Sequence, residues 1–303
     1  MGLTIRQIRD NTTRARHLMQ RTRQQHFAVG AFNVDNQETL ISICRAAQKL
    51  NSPVLVQVND IEAKALGIEN VRDLIDNYKI EYGIEIYINL DHSTTVEDCK
   101  RAIDAGYEFV QIDASLLSHD VSDEEIIDKT KEIVDYARFT GALVEGELSY
   151  FGKDHDIHNE SFDRKEIKNI FSTPEESRAF VDATGVDIFA AAVGNLHGKY
   201  GAAEKLDLEL LAKIRDSITT QISLHGGSGI PLNLLTDAAK IGVSKVSVGS
   251  DLRYAFRTAL EKELKENPDQ FVVTKLMDDV KDAMQKIVED KINAFGSAGR
   301  AVV

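Results

Sequence analysis

A chain of 303 residues with 43% hydrophobic and 28% charged residues can build a large core, which excludes global disorder and a collagen-like chain. Its 36 basic and 49 acidic residues give a net charge of −13, so a nucleic-acid partner is not expected, although backbone N–H groups or local positive charge could still hold a small phosphate. The length fits two domains or one α/β barrel with extensions.

The opening segment carries Arg6, Arg9, Arg14, Arg16, Arg21 and Arg23 and no apolar run of signal-peptide length. No stretch reaches about 18 uninterrupted apolar residues. A cytoplasmic protein without a membrane partner is therefore expected.

Eight short runs rich in Val, Ile, Phe and Ala read as strands: 27–33, 53–58, 84–90, 109–113, 143–147, 188–193, Gln221–Leu224 and 245–248. Helical patterns lie between them. Gln37–Leu50 places Leu40, Ile41, Ile43, Cys44, Ala47 and Leu50 on one broad face. Segment 95–105 is short and amphipathic, and 123–140 follows Ser122 as N-cap. Thr173-Pro174-Glu175-Glu176 is a helix start in which Thr173 caps, Pro174 takes the first turn and Glu176 closes a capping box. Segments 206–216 and Leu232–Ile241 complete the series. The two cysteines, Cys44 and Cys99, fall in helical patterns and read as buried thiols.

Strands that alternate with helices pair in parallel, and eight of them close a (β/α)8 TIM barrel; a doubly wound open sheet is the alternative. The expectation is one barrel domain over 1–303, with a helical C-terminal extension from about 252. That extension is interrupted near Asn267-Pro268 and ends in a flexible loop at 295–300.

A barrel gathers its reactive groups at the C-terminal ends of its strands. Asp91 and His92 follow the third run, Glu145 and Glu147 close the fifth, His197 follows the sixth and His225 the seventh. Three imidazoles with an open fourth position suit a catalytic Zn²⁺. Gly226-Gly227-Ser228-Gly229, and the turn from Ser247 to Ser250 before a helix, offer backbone N–H groups to a phosphate.

The segments AFNVDN (31–36), LDH (90–92), QIDAS (111–115), VEGEL (144–148), ATGVD (183–187), GNLHG (194–198), LHGGSG (224–229) and GSAGR (296–300) stand in order across nearly the whole chain. In them the sequence resembles the class II, metal-dependent ketose-bisphosphate aldolases, the group that holds fructose- and tagatose-bisphosphate aldolases. The resemblance implies that His92, His197 and His225 hold zinc, with cobalt or manganese as alternatives. It implies Asp91 as the acid/base carboxylate; Glu147, at the end of the fifth run, is expected as a supporting or alternate ligand. Asn33 would lie near the substrate. Gly198, Gly226, Ser228 and the Ser247–Ser250 turn would meet one phosphate, with a monovalent cation near it. Arg300 would meet the anion at the other end. The implied reaction cleaves or forms a C–C bond of a phosphorylated ketose, with dihydroxyacetone phosphate as one product and the metal as electron sink in place of a lysine Schiff base. A homodimer or homotetramer is implied.

Three departures stand out. Ser247 replaces an asparagine of the family, and Asn59 replaces a small Ser or Thr, which predicts a substrate-side group at 59 and an exchanged, coupled pair. Loop 152–156 places His155 where the family carries a proton-shuttling glutamate, so His155 is a candidate catalytic group. These leave open a related metal-dependent lyase or epimerase for another phosphorylated or sulfonated sugar, and a non-catalytic aldolase-like subunit.

Overall fold

The computed structural model describes residues 2–113, 121–148, 157–158, 171–195, 199–200 and 206–302. Among these residues eight parallel strands close a barrel: β1 (Val29–Asn33), β2 (Val54–Val58), β3 (Ile86–Ser93), β4 (Phe109–Ile112), β5 (Leu143–Gly146), β7 (Ile188–Ala190), β9 (Gln221–Leu224) and β10 (Val243–Val248). They follow one another around the barrel, and β10 pairs with β1 to close it, with Val29 opposite Lys245 and Phe32 opposite Val248. Two short strands, β6 (Ile157–His158) and β8 (Lys199–Tyr200), pair separately.

Side chains alternate along each strand, so every second residue faces the barrel axis. That inner file changes character from bottom to top. At the N-terminal end Val29, Ala31, Leu55, Tyr87, Phe109, Leu143 and Ile188 form an apolar plug. Above it Gln57, Asn89, Gln111, Glu145 and Lys245 form a buried polar layer, and the rim carries Asp91 and His225. The outward-facing Val, Ile and Leu residues meet the surrounding helices in the main core.

The arginine-rich start is a helix, Ile5–Gln25, opened by a Thr4–Gln7 capping box. Its Ala15, Leu18 and Met19 join the apolar plug and cover the barrel floor. Its arginines point outward: Arg16 pairs with Asp187, and Arg21 with Glu85 at 2.8 Å. The helices Asp60–Leu66 and Ile68–Tyr82 fill the β2–β3 crossover, which the periodicity left unassigned.

The C-terminal helices differ in rank from the simple expectation of an appended tail. Asp278–Phe295 buries Val280, Met284, Val288 and Ile292 and occupies the helical layer beside Gln37–Leu50 and β1. Ser250–Glu266, with Leu252 its one buried residue, packs outside it. The segment after Gly296 is tied down rather than loose. Gly299 N donates to Leu50 O at 2.9 Å, and Ala301 N donates to Asn51 O at 3.0 Å. Among the described residues, no helix is long and apolar enough to cross a membrane.

Candidate metal centre and substrate pocket

Consecutive strand residues point to opposite faces, so Asp91 and His92 could not both enter the barrel mouth from a regular β3. The strand breaks its pattern there. Its register against β4 shifts between Leu90 and Ser93, and His92 takes a left-handed φ of 47°. That local kink brings both side chains to the rim, where single ligand atoms of Asp91, His92 and His225 lie within 4.8 Å of one another.

The two imidazoles face each other, with His92 Nε2 2.8 Å from His225 Nδ1. Each ring is fixed through its other nitrogen by a buried carboxylate. His92 Nδ1 lies 2.7 Å from Asp113 Oδ2, and His225 Nε2 lies 2.7 Å from Glu145 Oε1. This is the carboxylate–histidine arrangement that sets the tautomer and basicity of a metal-binding ring. Asp91 Oδ2 accepts from Gln57 Nε2 at 2.9 Å, and Asp91 Oδ1 accepts from Asn89 Nδ2 at 3.3 Å. Glu145 also accepts from Ser223 Oγ at 2.6 Å and from Lys245 Nζ at 2.7 Å.

The electrostatics of the cluster call for a cation. Burial penalises the charged Glu147 carboxyl, and the Asp113 charge adds to that, so it titrates well above the ordinary glutamate range. Its Oε1 is buried without a hydrogen-bond partner among the described residues, 3.9 Å from His92 Nδ1. Burial would also push Glu145 up, but the Lys245 ammonium and the His225 imidazole outweigh it and hold Glu145 low. His92 is raised: burial opposes its charge, and Asp91 and Asp113 outweigh burial. His225 is lowered by burial and by His92. Imidazole and carboxylate donors with an orphaned buried oxygen fit a divalent cation of the zinc type. His92, Asp113 and Glu147 form a second, overlapping group of possible ligands.

The pocket beside this cluster is lined by Asn33, Gln57, Asp91, His92, Gly226, Ser228, Ser247, Gly249, Ser250 and Arg253. Its glycine loop is fitted closely to β10. A Cβ on Gly227 would lie 2.5 Å from Val246 Cγ1 and 2.8 Å from Ser247 O, and Gly226 has a φ of 63°. Asp251 N donates to Ser228 Oγ at 3.0 Å, which locks the loop to the start of the Ser250–Glu266 helix, and Lys291 Nζ donates to Gly227 O at 2.8 Å, which ties it to the Asp278–Phe295 helix.

Asn33, Asp91, His92, His225, Gly226, Ser228, Ser247 and Ser250 thus converge on one rim, with Glu147 just below. His197, Gly198 and His155 lie outside the described residues. Two of the expected residues make other contacts. Asn59 is not among the residues that line the pocket, and Ser247 is not among its described hydrogen-bond partners. Its side chain caps the Asp60–Leu66 helix, accepting from Ile61 N at 2.9 Å and Glu62 N at 3.2 Å, whereas Ser247 Oγ donates to Gln57 Oε1 at 3.3 Å. Arg300 does not line this pocket. Its guanidinium stacks over Phe27 at 5.4 Å and donates to Gln25 Oε1 at 2.8 Å, beside the N-terminal end of β1. The helix before it already ends on the barrel floor, where Ala28 N donates to Phe295 O at 3.0 Å.

Several members of the site escaped the sequence reading: Gln57, Asp113, Lys245, Glu62 and Arg253. For Gln57 and Lys245 a signal existed, since each is a polar residue at an inward position of an otherwise apolar strand. Asp113 closes the inward file of β4 in the same way.

A parallel barrel carrying carboxylate-propped imidazoles at its C-terminal rim has the architecture of a metal-dependent barrel enzyme. The family model for class II fructose-bisphosphate aldolase matches residues 13–300. The chain is 34% identical over 281 residues to a fructose-bisphosphate aldolase of Geobacillus stearothermophilus, covering 91% of this chain and 93% of that protein. It is 31% identical over 284 residues to a sulfofructosephosphate aldolase of Alkalicoccus urumqiensis, covering 94% and 96%. Among solved structures it is similar to the YdjI aldolase of Escherichia coli K12, with TM-score 0.77, 27% identity and coverage of 95% and 98%. A putative fructose-1,6-biphosphate aldolase of Coccidioides immitis gives TM-score 0.78, 29% identity and coverage of 94% and 96%.

The chain belongs to the class II fructose-bisphosphate aldolase family. It is an aldolase, a lyase of phosphorylated sugars, and its family is metal-dependent.

Proposed function

We propose that this aldolase works with zinc and cleaves a ketose that carries phosphate at one end and a second anionic group at the other, a 1,6-bisphosphate or close analogue, releasing dihydroxyacetone phosphate. The observation that carries the reading is the convergence of His92 and His225 beside Asp91, each ring braced by its own buried carboxylate. His197 is the third imidazole of the set by its place in the GNLHG segment, with Glu147 as an alternate ligand. Zinc, when bound, supplies a Lewis acid that polarises a substrate carbonyl and takes up charge as the C–C bond breaks.

The chain's own groups do the rest. Asp91, oriented by Gln57 and Asn89, exchanges the hydroxyl proton on the aldehyde side. Asn33 and Ser247 face the sugar, and Gly226, Ser228 and Ser250 seat the phosphate of the dihydroxyacetone half, with Gly198 and a monovalent cation beside them. His155 serves as a proton carrier from its loop. The working enzyme is a homodimer or homotetramer.

A second substrate, a 6-sulfonated ketose 1-phosphate, is favoured by the 31% identity to a sulfofructosephosphate aldolase. The deciding experiment assays the zinc-loaded protein on fructose and tagatose 1,6-bisphosphates, fructose 1-phosphate and the 6-sulfonated fructose 1-phosphate, with triose phosphate release as readout. Cleavage of one two-ended substrate, abolished by chelator, is expected. No cleavage of any, or full activity in excess chelator, overturns the proposal.

A further inference from the structure

The ladder between β7 and β9 ends at the pair of Ala190 with Ser223, followed by one last bond from Ala191 N to Ser223 O at 3.2 Å. The backbone just beyond it is still buried, with Val193 and His225 both 0% exposed, so its N–H and C=O groups need partners from elsewhere. Side chains supply them. Ser172 Oγ accepts from Ala192 N at 3.0 Å, and Ser172 N donates to Ala192 O at 2.9 Å. Asn195 serves the next residue and also reaches across to the neighbouring strand. Its Oδ1 accepts from Val193 N at 2.8 Å, and its Nδ2 donates to His225 O at 3.0 Å.

An amide suits both tasks, because it carries an acceptor and a donor on separate atoms of one short stem; an ionised carboxylate has no donor. Gly194, with a φ of 100°, makes the turn that folds Asn195 back onto Val193, and Asn195 is itself 2% exposed. Val193 O in turn accepts from Asp207 N at 2.8 Å. Asp207 caps the Leu208–Ser217 helix, where its Oδ1 accepts from Leu210 N at 2.9 Å. The chain that leaves the barrel at Val193 therefore comes back to the same residue at Asp207, and His197 belongs to the stretch between them. Asn195 ties the start of that stretch to the backbone of His225.

We propose that Asn195 is a positioning residue of the metal centre, whose amide holds the His225 backbone and the start of the His197 segment in one fixed relation. Imidazoles from two neighbouring strand ends meet one cation only if their backbones keep that relation, and the β7–β9 ladder stops short of both. The buried carboxylates Asp113 and Glu145 orient the rings of His92 and His225. Asn195 orients main chain instead: it replaces the rung that the ladder lacks, and it does so at the carbonyl of a ligand residue. Outer partners of this kind set how well a site holds its metal. The inference rests on the reading of His197 as the third imidazole and names the residue that sets its segment against His225.

The test measures the zinc affinity of full-length N195A, N195D, H197A and N195A/H197A by competition with a chromophoric chelator, together with the visible absorption of each protein loaded with cobalt. N195A should bind zinc about 10- to 100-fold more weakly, the usual cost of removing an outer partner of a metal site, and its cobalt bands should differ per bound ion from those of the wild type. A purely structural turn would lower the stability of the metal-free protein and leave the cobalt spectrum unmoved. N195D keeps the acceptor for Val193 N, and with it the turn, but loses the donor to His225 O, so it should lose affinity as N195A does. In H197A the ligand that Asn195 helps to place is gone, so adding N195A should cost less than about threefold. Wild-type affinity and cobalt spectrum in N195A, or a full N195A effect in the H197A background, overturns the proposal. Should N195A fail to fold, N195D decides: wild-type affinity and spectrum there refute it. The H197A arm separates the two readings. Unchanged zinc affinity in H197A removes His197 from the ligand set, whereas a loss in H197A with none in N195A refutes the positioning role alone.

Discussion

Glutamine at Glu145 separates the two tasks given to that carboxylate, bracing His225 and neutralising Lys245. The Lys245 and Glu145 side chains are 0% and 1% exposed, so their 2.7 Å pair has no solvent screening to discount. Breaking a buried pair from one side costs about 3–5 kcal/mol, because the remaining charge is left in the interior. Asp91 Oδ1, 3.9 Å from Lys245 Nζ, offers partial relief, so the lower part of that range, about 3 kcal/mol, is expected for E145Q in urea unfolding of the metal-free protein. Loss of the charged brace on His225 should also weaken zinc about 10- to 100-fold, measured by competition with a chromophoric chelator. Adding Lys245→Met removes the stranded ammonium. The double variant should regain most of the stability while its zinc affinity stays low.

The same pair has a pH signature. Glu145 titrates below its ordinary value in the folded protein, because Lys245 and His225 outweigh the burial that would raise it. Its stabilisation is therefore fully present above the unfolded value of about 4.3 and is lost as pH falls from there toward the folded value. Wild-type stability should fall below about pH 4 more steeply than that of E145Q/K245M. A loss under about 1 kcal/mol in E145Q, or zinc affinity restored by K245M, would refute the reasoning.

Asp91→Asn should retain zinc and lose about 10²–10⁴-fold in turnover, the contribution of a proton-transferring group; a small loss, under about threefold, would move that role to another residue such as His155. Ser247→Asn and Asn59→Ser should act independently in kcat/KM, within about 0.5 kcal/mol of additivity, since Ser247 meets Gln57 while Asn59 caps a helix; a larger coupling in the double-mutant cycle would restore the exchanged-pair idea. Asn59→Ala should instead cost about 1 kcal/mol of stability in a urea melt, and no cost would remove the cap assignment. Arg300→Ala should leave KM for every two-ended substrate unchanged and lower stability by about 0.5–1 kcal/mol through the lost Phe27 contact; a KM effect confined to substrates with the second anion would return Arg300 to the pocket.

The sequence by itself determined the barrel and the chemistry of its rim. Alternating buried strands and amphipathic helices admit few architectures, and local rules such as the Thr173 cap and the face of Gln37–Leu50 were met as written. Asp91, His92 and His225 were legible because a parallel barrel puts strand ends on one rim whatever the details. Long-range geometry was not legible. Nothing local tells that the arginine-rich start folds under the barrel, since its apolar stripe is narrow and gains meaning only against the plug it covers. Nothing in the GSAGR segment tells that the helix before it ends on the barrel floor, which leaves Arg300 beside Phe27. Glu62 and Arg253 stand 191 positions apart, and only closure of β10 onto β1 makes them neighbours. The strand pattern was carried by hydrophobicity, a property each residue holds alone. The polar network of the inner file is a property of pairs, and pairs are fixed by the register at which the barrel closes.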